Sequence, residues 1–493
     1  MKTKKVLSLA LALTLMSTTM LAGCSDTTQP SQSTASQEES SAASQEESSA
    51  APQEDSSAAS QEEPGGTVKI LTAVTGGKDD EEMLLFAAEL SEKTGLEVIM
   101  EKPSDYDNTM VQKLQSGEQY DLIYLGHKQL ITLQEQGALL DITDRVNNSD
   151  IMMNNIDPQE WADIAVDGRY YAGLNKKEVF IPVAANAVHL REAGIDPDTI
   201  EPTLDGYYDV FQKLKETFPE KDYYPYNVIL SENWDLQPWM AAVGLKGGVY
   251  EDSDGKLYAP YSTDDAAPVW EWLKKLYGEG LLDPACAVDK TSDMRAKMGA
   301  SSQLTSICAD WLAWIGLHNA NAAAGDISPE DFEIIALPGI QAPDGDYMIR
   351  KGNASLWGIP VNAENPDGAF KVLEFFATQE GGVLLTAGVE GHDYTINNGV
   401  MELTETGASH SKDHGAPFPI YKDFAADLGY NPGVEDGLQY LNYASIERPL
   451  LMETEYKEIV GKWAVQIVRG DVAVLDGLEK MRAELVSRGV TEK

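Results

Sequence analysis

"GTVKILTAV" at 66–74 and "YDLIYLG" at 120–126 bound the stretch that decides the fold. The first is apolar and β-branched, with the composition of a strand. Over 79–93 the apolar residues Met83, Leu84, Phe86, Ala87 and Leu90 recur at helical spacing. "LEVIME" at 96–101 reads as a second strand, and 108–116 as a second helix. The 120–126 run is short and nearly continuous in its hydrophobicity, which suits a strand covered on both faces. Strand, helix, strand, helix, strand is the rhythm of a covered parallel sheet, so the fold class is α/β.

Working outward, a helix over "LITLQEQG" should stop at Gly137. A second α/β region begins after Val179. "FIPVAANAVHLREAGI" holds an extended piece and a short helix. "TLDGYYDVFQKLKETFP" is a helix with Thr203 as its cap and Pro219 beyond its end. "YEDSDGKLYAPY" predicts a hairpin around Asp254-Gly255. "DAAPVWEWLKKLYGEG" is a helix ending at Gly278 or Gly280. "DFEIIALPG" and "SLWGIPV" are further strands, and 449–489 is mostly helical.

The amino end has a separate logic. Lys2, Lys4 and Lys5 precede an apolar run from Val6 to Leu15, which is an export signal too short to span a bilayer. It ends at "LAGC", which resembles the lipobox of bacterial lipoproteins. That resemblance implies cleavage before Cys24 and acylation of its thiol, so residues 1–23 are the signal peptide. Acyl chains on Cys24 hold a protein at a membrane. Residues 24–66 continue as a Ser/Gln/Glu tether with an eight-residue repeat over 34–64. Without Leu, Ile, Val or aromatics, this tether cannot bury enough surface to offset its ordering entropy.

The remaining body, 67–493, is long enough for two domains. The chain carries 80 acidic and 37 basic residues for a net charge of −43, and few of either lie before residue 67. No basic patch interrupts the acidic body, so nucleic acid is not an expected partner, nor is a direct grip on anionic lipid. Cys286 and Cys308 follow an export signal, so a disulfide and two buried thiols are both open. No CxxC, HExxH or Cys/His cluster gives sequence support for a metal, and no cofactor motif is present. "DSDGKLY" at 252–258 places Lys256 at a position where a calcium loop wants oxygen, so it reads as a hairpin tip. No GxSxG elbow, P-loop or kinase set points to catalysis.

The order of these pieces resembles the extracellular solute-binding proteins of family 1, the receptors of ABC importers for sugars and some other small solutes. The nearest likeness is to the long lipoprotein branch of Gram-positive bacteria. "FAAELSEKTGLEV", "KLQSGEQYDLIYLG", "DGKLYAPYSTDDAAPVWEWLKKLYGEGLLDP" and "SLWGIPVNAENPDGAFKVLEFFATQEGG" carry the resemblance. Gln119-Tyr120 departs from the Pro that often precedes the Asp in the second of these. The resemblance implies a two-lobed periplasmic-binding-protein-like fold of type II, with lobes joined by crossing hinge strands. One lobe would comprise 67–180 plus 335–395, the other 181–334 plus 396–493. It implies a monomeric receptor, not an enzyme, on the extracellular face of the cell membrane. ABC permease subunits would be its partners.

Ligand should sit in the cleft, outside the carboxyl ends of the strands. In "CADWLAWIG", Trp311 matches the family's cleft aromatic, and Asp310 is a candidate acceptor for sugar hydroxyls. In "ENWDLQPWMAAVG", Trp234, Asp235 and Trp239 match a loop–helix junction that touches sugar in sugar-binding relatives. Gly77 and His127 follow the first and third strands, and Glu178 sits at the expected crossing. Nine Trp and 21 Tyr favour a stacked neutral ligand, an oligosaccharide first and a peptide second. A secreted carbohydrate-active hydrolase is the alternative from another class; it needs two carboxylates held across one cleft.

Overall fold

The computed structural model describes residues 65–73, 80–409, 418–424, 428–447 and 450–493. The first lobe is built as its sequence rhythm requires. Strand β1 (Thr67–Leu71) pairs in parallel with β2 (Glu97–Glu101) and with β3 (Leu122–Gly126). Helices Asp80–Thr94 and Tyr106–Ser116 supply the crossovers. Gly117 closes the second of these with φ of 79°, a left-handed position that suits glycine. Val68, Ile70, Leu122, Ile123 and Leu125 are fully buried in a core shared with Phe86, Leu90 and Met110.

After three short helices, Thr143–Asn147, Asp150–Asn155 and Pro158–Ile164, β4 (Ala172–Leu174) closes one edge of this sheet. The chain then passes through β5 (Phe180–Ile181) into β6 (Val183–Asn186), the central strand of a second sheet. Helix Leu204–Thr217 follows, capped as expected by Thr203, whose hydroxyl accepts the Gly206 N–H at 3.0 Å. Strands β7 (Tyr250–Glu251) and β8 (Leu257–Tyr258) form the anticipated hairpin. At its tip the Asp252 carboxylate accepts the N–H groups of Asp254 and Lys256 and pairs with Lys493. Those donors hold Asp252 at about 2, well below the usual carboxylate range, with the Lys493 hydrogen bond the largest cause.

The second sheet is completed by β9 (Ile307–Ala309) and β10 (Ile334–Leu337), both antiparallel to β6. Its core is aromatic, with Trp239, Trp270, Phe211 and Tyr226 fully buried. The chain returns through β11 (Ile349–Lys351) to β12 (Ser355–Gly358), which inserts antiparallel between β3 and β4. β5 and β11 therefore lie between the two sheets in sequence, and they pair with each other. They are the crossing strands of a bilobed α/β fold.

The lobes exchange chain somewhat differently from the sequence boundaries. β10 belongs to the second sheet through Leu337, and the first sheet is rejoined only at Ser355. A hairpin of β13 (Tyr394–Asn397) and β14 (Val400–Leu403) lines a groove with Glu89, Lys93 and Phe375 of the first lobe. β15 (Ala444–Ile446) adds to β11 in the crossing sheet, and helices Glu453–Val468 and Val474–Ser487 finish the second lobe. Among the described residues no helix is long and apolar enough to cross a membrane. Cys286 and Cys308 are both buried free thiols, so the disulfide left open by the sequence is not formed.

Candidate functional site

The apolar run that feeds β9 ends at Trp311, the N-cap of helix Leu312–Ala324. Ending there leaves the indole half-buried beside the crossing strands rather than inside the lobe. The ring of Trp234, also half-buried, lies against it, with centroids 6.0 Å apart and planes 19° from parallel. A Cβ placed on Gly352, just after β11, would sit 3.4 Å from both the Trp311 ring and the Glu178 Cβ. The Trp pair is thus the second lobe's edge of the crossing. From the other side, Glu178 accepts the Ser355 N–H at 2.9 Å and its hydroxyl at 2.5 Å, at the start of β12.

His127 follows Gly126, which is in register with Ser355, so it stands at the carboxyl end of β3 next to that junction. It is buried, and its Nδ1 has no hydrogen-bond partner among the described residues. Burial alone lowers its pKa to about 4, which keeps the ring neutral at physiological pH. Beneath the same crossing, Lys351 of β11 pairs with Glu160 at 2.5 Å, both buried, and Lys177 lies over the Phe424 ring. Desolvation pulls Lys177 below the usual lysine range.

Behind the Trp wall the charges face inward. Asp310 is 2% exposed. Its two oxygens accept Arg295 Nε at 2.8 Å and Nη2 at 2.7 Å, and Oδ1 also accepts the Trp311 N–H at 2.8 Å. The Arg295 guanidinium in turn covers the Trp314 ring at 3.8 Å. Asp235 is 1% exposed and accepts the Ile229 N–H at 2.7 Å. Burial pushes its carboxyl up to about 7. Arg350 of β11 donates to the Trp234 carbonyl at 3.2 Å and pairs with Glu447 at 3.2 Å, which fixes Trp234 to the crossing sheet.

These positions correct part of the sequence reading. Trp239 is not at the cleft: it is fully buried, ringed by Tyr207 and Tyr226 at 5.1 Å and Trp272 at 5.4 Å. The short helix Gln237–Met240 turns it into the core while Trp234, in the preceding loop, stays out. Asp310 and Asp235 stand close to the wall, and their carboxylates accept N–H groups of the protein itself. Trp311, Trp234, Glu178 and His127 lie around the crossing. Gly77, with Thr75 and Gly76, and Cys24 lie outside the described residues. Arg295, Arg350, Gly352 and Ser355 are the residues sequence reasoning missed; each acts through a long-range contact that no local pattern announces.

The geometry is two lobes, two crossing strands and an aromatic wall at the crossing. The model of the family described as "Bacterial extracellular solute-binding protein" matches residues 86–401, well over half of the chain. The chain belongs to that family. This solute-binding protein is 25% identical over 238 residues to lipoprotein LipO of Bacillus subtilis (strain 168), a match that covers 44% of each chain. It spans less than half the length of that curated relative. Solved structures agree on the fold. The sugar-binding protein MalE from Xanthomonas citri aligns with a TM-score of 0.64 at 14% identity, over 86% of this chain and 98% of that one. The cyclic alpha-maltosyl-1,6-maltose binding protein from Arthrobacter globiformis aligns with a TM-score of 0.60 at 13% identity, over 85% and 98%.

Chemically, a solute-binding protein arranged this way has a half-buried aromatic face on one lobe, and the buried imidazole of His127 at the end of β3 on the other. An aromatic face suits the axial C–H surface of a sugar ring or an apolar side chain. The inward ion pairs hold that face still, which lowers the ordering penalty on binding.

Proposed function

We propose that the protein is the solute-capturing receptor of an ABC importer, with a neutral oligosaccharide as its ligand. It is a monomer, acylated on Cys24 and tethered to the outer face of the cell membrane. The observation that carries this reading is the half-exposed Trp234–Trp311 pair beside the crossing strands. A ring laid against Trp311 would be reached from the first lobe by His127, and lobe closure would bury it. The sugar named for the solved relatives supports the ligand class. The carboxylates of Asp310 and Asp235 are engaged within the protein, which favours capture over glycoside hydrolysis.

A panel of neutral oligosaccharides and short peptides, screened by thermal shift and then by calorimetry, tests the proposal. Binding to N but not to U raises the melting temperature, so a true ligand shows itself by a dose-dependent shift. A response to peptides alone reverses the ligand class. Turnover of a glycoside bond in the panel overturns the receptor assignment. Mass spectrometry of the mature amino terminus tests the anchor: acylated Cys24 is expected, and an unmodified terminus elsewhere contradicts it.

A further inference from the structure

Three potential ligands, one of them distant in sequence from the other two, meet in the first lobe. Glu82 comes from helix Asp80–Thr94, and His392 and Asp393 from the turn before β13. One donor atom from each lies within 4.8 Å of the others. Glu82 is 5% exposed and Asp393 2%, whereas solvated acidic clusters sit at the surface. We propose that Glu82, His392 and Asp393 bind a first-row divalent transition metal, zinc before others, as a structural cross-link.

The spacing carries the argument. His392 Nδ1 stands 3.4 Å from Asp393 Oδ1 and 3.7 Å from Glu82 Oε1. Both separations are too long for charge-assisted hydrogen bonds, which draw an imidazolium to about 2.7–2.9 Å from a carboxylate. The His392–Asp393 separation is that of two ligands sharing one cation, and Glu82 stands slightly farther out. Donors at about 2.0–2.2 Å around a tetrahedral zinc lie roughly 3.3–3.6 Å from one another. One imidazole nitrogen and two carboxylate oxygens suit zinc or its neighbours. Calcium would need about 6–8 oxygens at longer range. Water would take the fourth position.

The surroundings are rigid enough to hold such a site. Asp393 Oδ2 accepts the Val389 N–H at 2.6 Å, which aims Oδ1 toward His392. The Asp393 and His392 carbonyls accept the Thr404 N–H at 3.0 Å and its hydroxyl at 2.6 Å, tying the turn to the end of β14. Gly407 packs so closely that a Cβ there would fall 1.9 Å from the Asp393 carbonyl oxygen. The His392 side chain is 32% exposed, so the cluster is open to solvent on that side. Bound metal would fasten the β13–β14 hairpin to the first-lobe helix.

The test uses the full-length protein, stripped by chelator and dialysed against zinc, manganese or calcium chloride in turn. One equivalent of zinc per chain by elemental analysis is expected, with a melting temperature several degrees above the stripped protein. Cobalt in its place should give the strong visible absorbance of a four-coordinate ion. His392→Ala, at the most exposed position of the three, should fold and lose both the equivalent and the shift. Asp393→Asn should do the same if it folds. Substoichiometric zinc in the unaltered protein, undiminished zinc in His392→Ala, or a shift with calcium alone would overturn the proposal.

Discussion

Asp310 holds Arg295 with both carboxylate oxygens, and the same carboxylate accepts the N–H of Trp311. Asp310 is therefore a mount for the aromatic wall, with Arg295 as its counter-charge. Removing one partner of a buried pair leaves the other uncompensated. Asp310→Ala should destabilise the protein by about 3 kcal/mol, the lower end of the usual range, because the Arg295 side chain keeps some exposure. Urea unfolding measures this. Normal stability with at least tenfold weaker ligand binding in Asp310→Asn would instead put the carboxylate on the solute.

Asp235 gives the fold a pH dependence. Its carboxyl is pushed up to about 7, by burial first, with Asp310 and Glu232 adding negative charge nearby. Between about pH 4 and about 7 the folded protein keeps a proton that the unfolded chain has released. Stability therefore falls as pH rises through that window and levels off above it. Asp235→Asn removes this titration. Between pH 5 and pH 8 the unaltered protein should lose on the order of 3 kcal/mol relative to the variant. Parallel unfolding curves at the two pH values would contradict this.

Lys351 of the crossing strand and Glu160 of the first-lobe helix Pro158–Ile164 form a pair that is nearly dry. Lys351→Met alone should destabilise by about 3–5 kcal/mol, because Glu160 stays buried and charged. The double variant Lys351→Met, Glu160→Met should lose much less, since apolar side chains of similar size replace both charges. Equal losses in the single and double variants, read by urea unfolding, would show that packing rather than charge sets the effect.

Trp239 separates core from site. Trp239→Ala should destabilise by about 3–5 kcal/mol through the cavity it leaves. Ligand affinity of the folded fraction should be unchanged in calorimetry. A selective loss of affinity would return Trp239 to the cleft.

The alternation from β1 to β3 was legible because each strand is apolar enough, and each helix long enough, to show its period. β5 was legible only as part of the extended piece it shares with β6, and β11 not at all, since two or three residues carry no period. The place of Trp311 beside the crossing strands was readable from its position at the end of an apolar run. Trp234 and Trp239 share one stretch and one residue type, and only the turn between them decides which faces out. The polar character of Asp310 and Asp235 was visible in the sequence, but their direction was not. An Asp beside a cleft Trp serves ligand or scaffold depending on what lies behind it. Here Arg295 and the Ile229 N–H lie behind. Glu82 and His392-Asp393 sit too far apart in sequence for any spacing motif to join them.

Calorimetry on Trp311→Ala, with the neutral oligosaccharide that gives the largest thermal shift, bears on the receptor account most directly. If the Trp311 face is the platform, truncation should weaken binding by at least about 2 kcal/mol, roughly thirtyfold, while Trp311→Phe loses less. Reduced stability of Trp311→Ala with an unchanged dissociation constant would contradict the account and make Trp311 a packing residue.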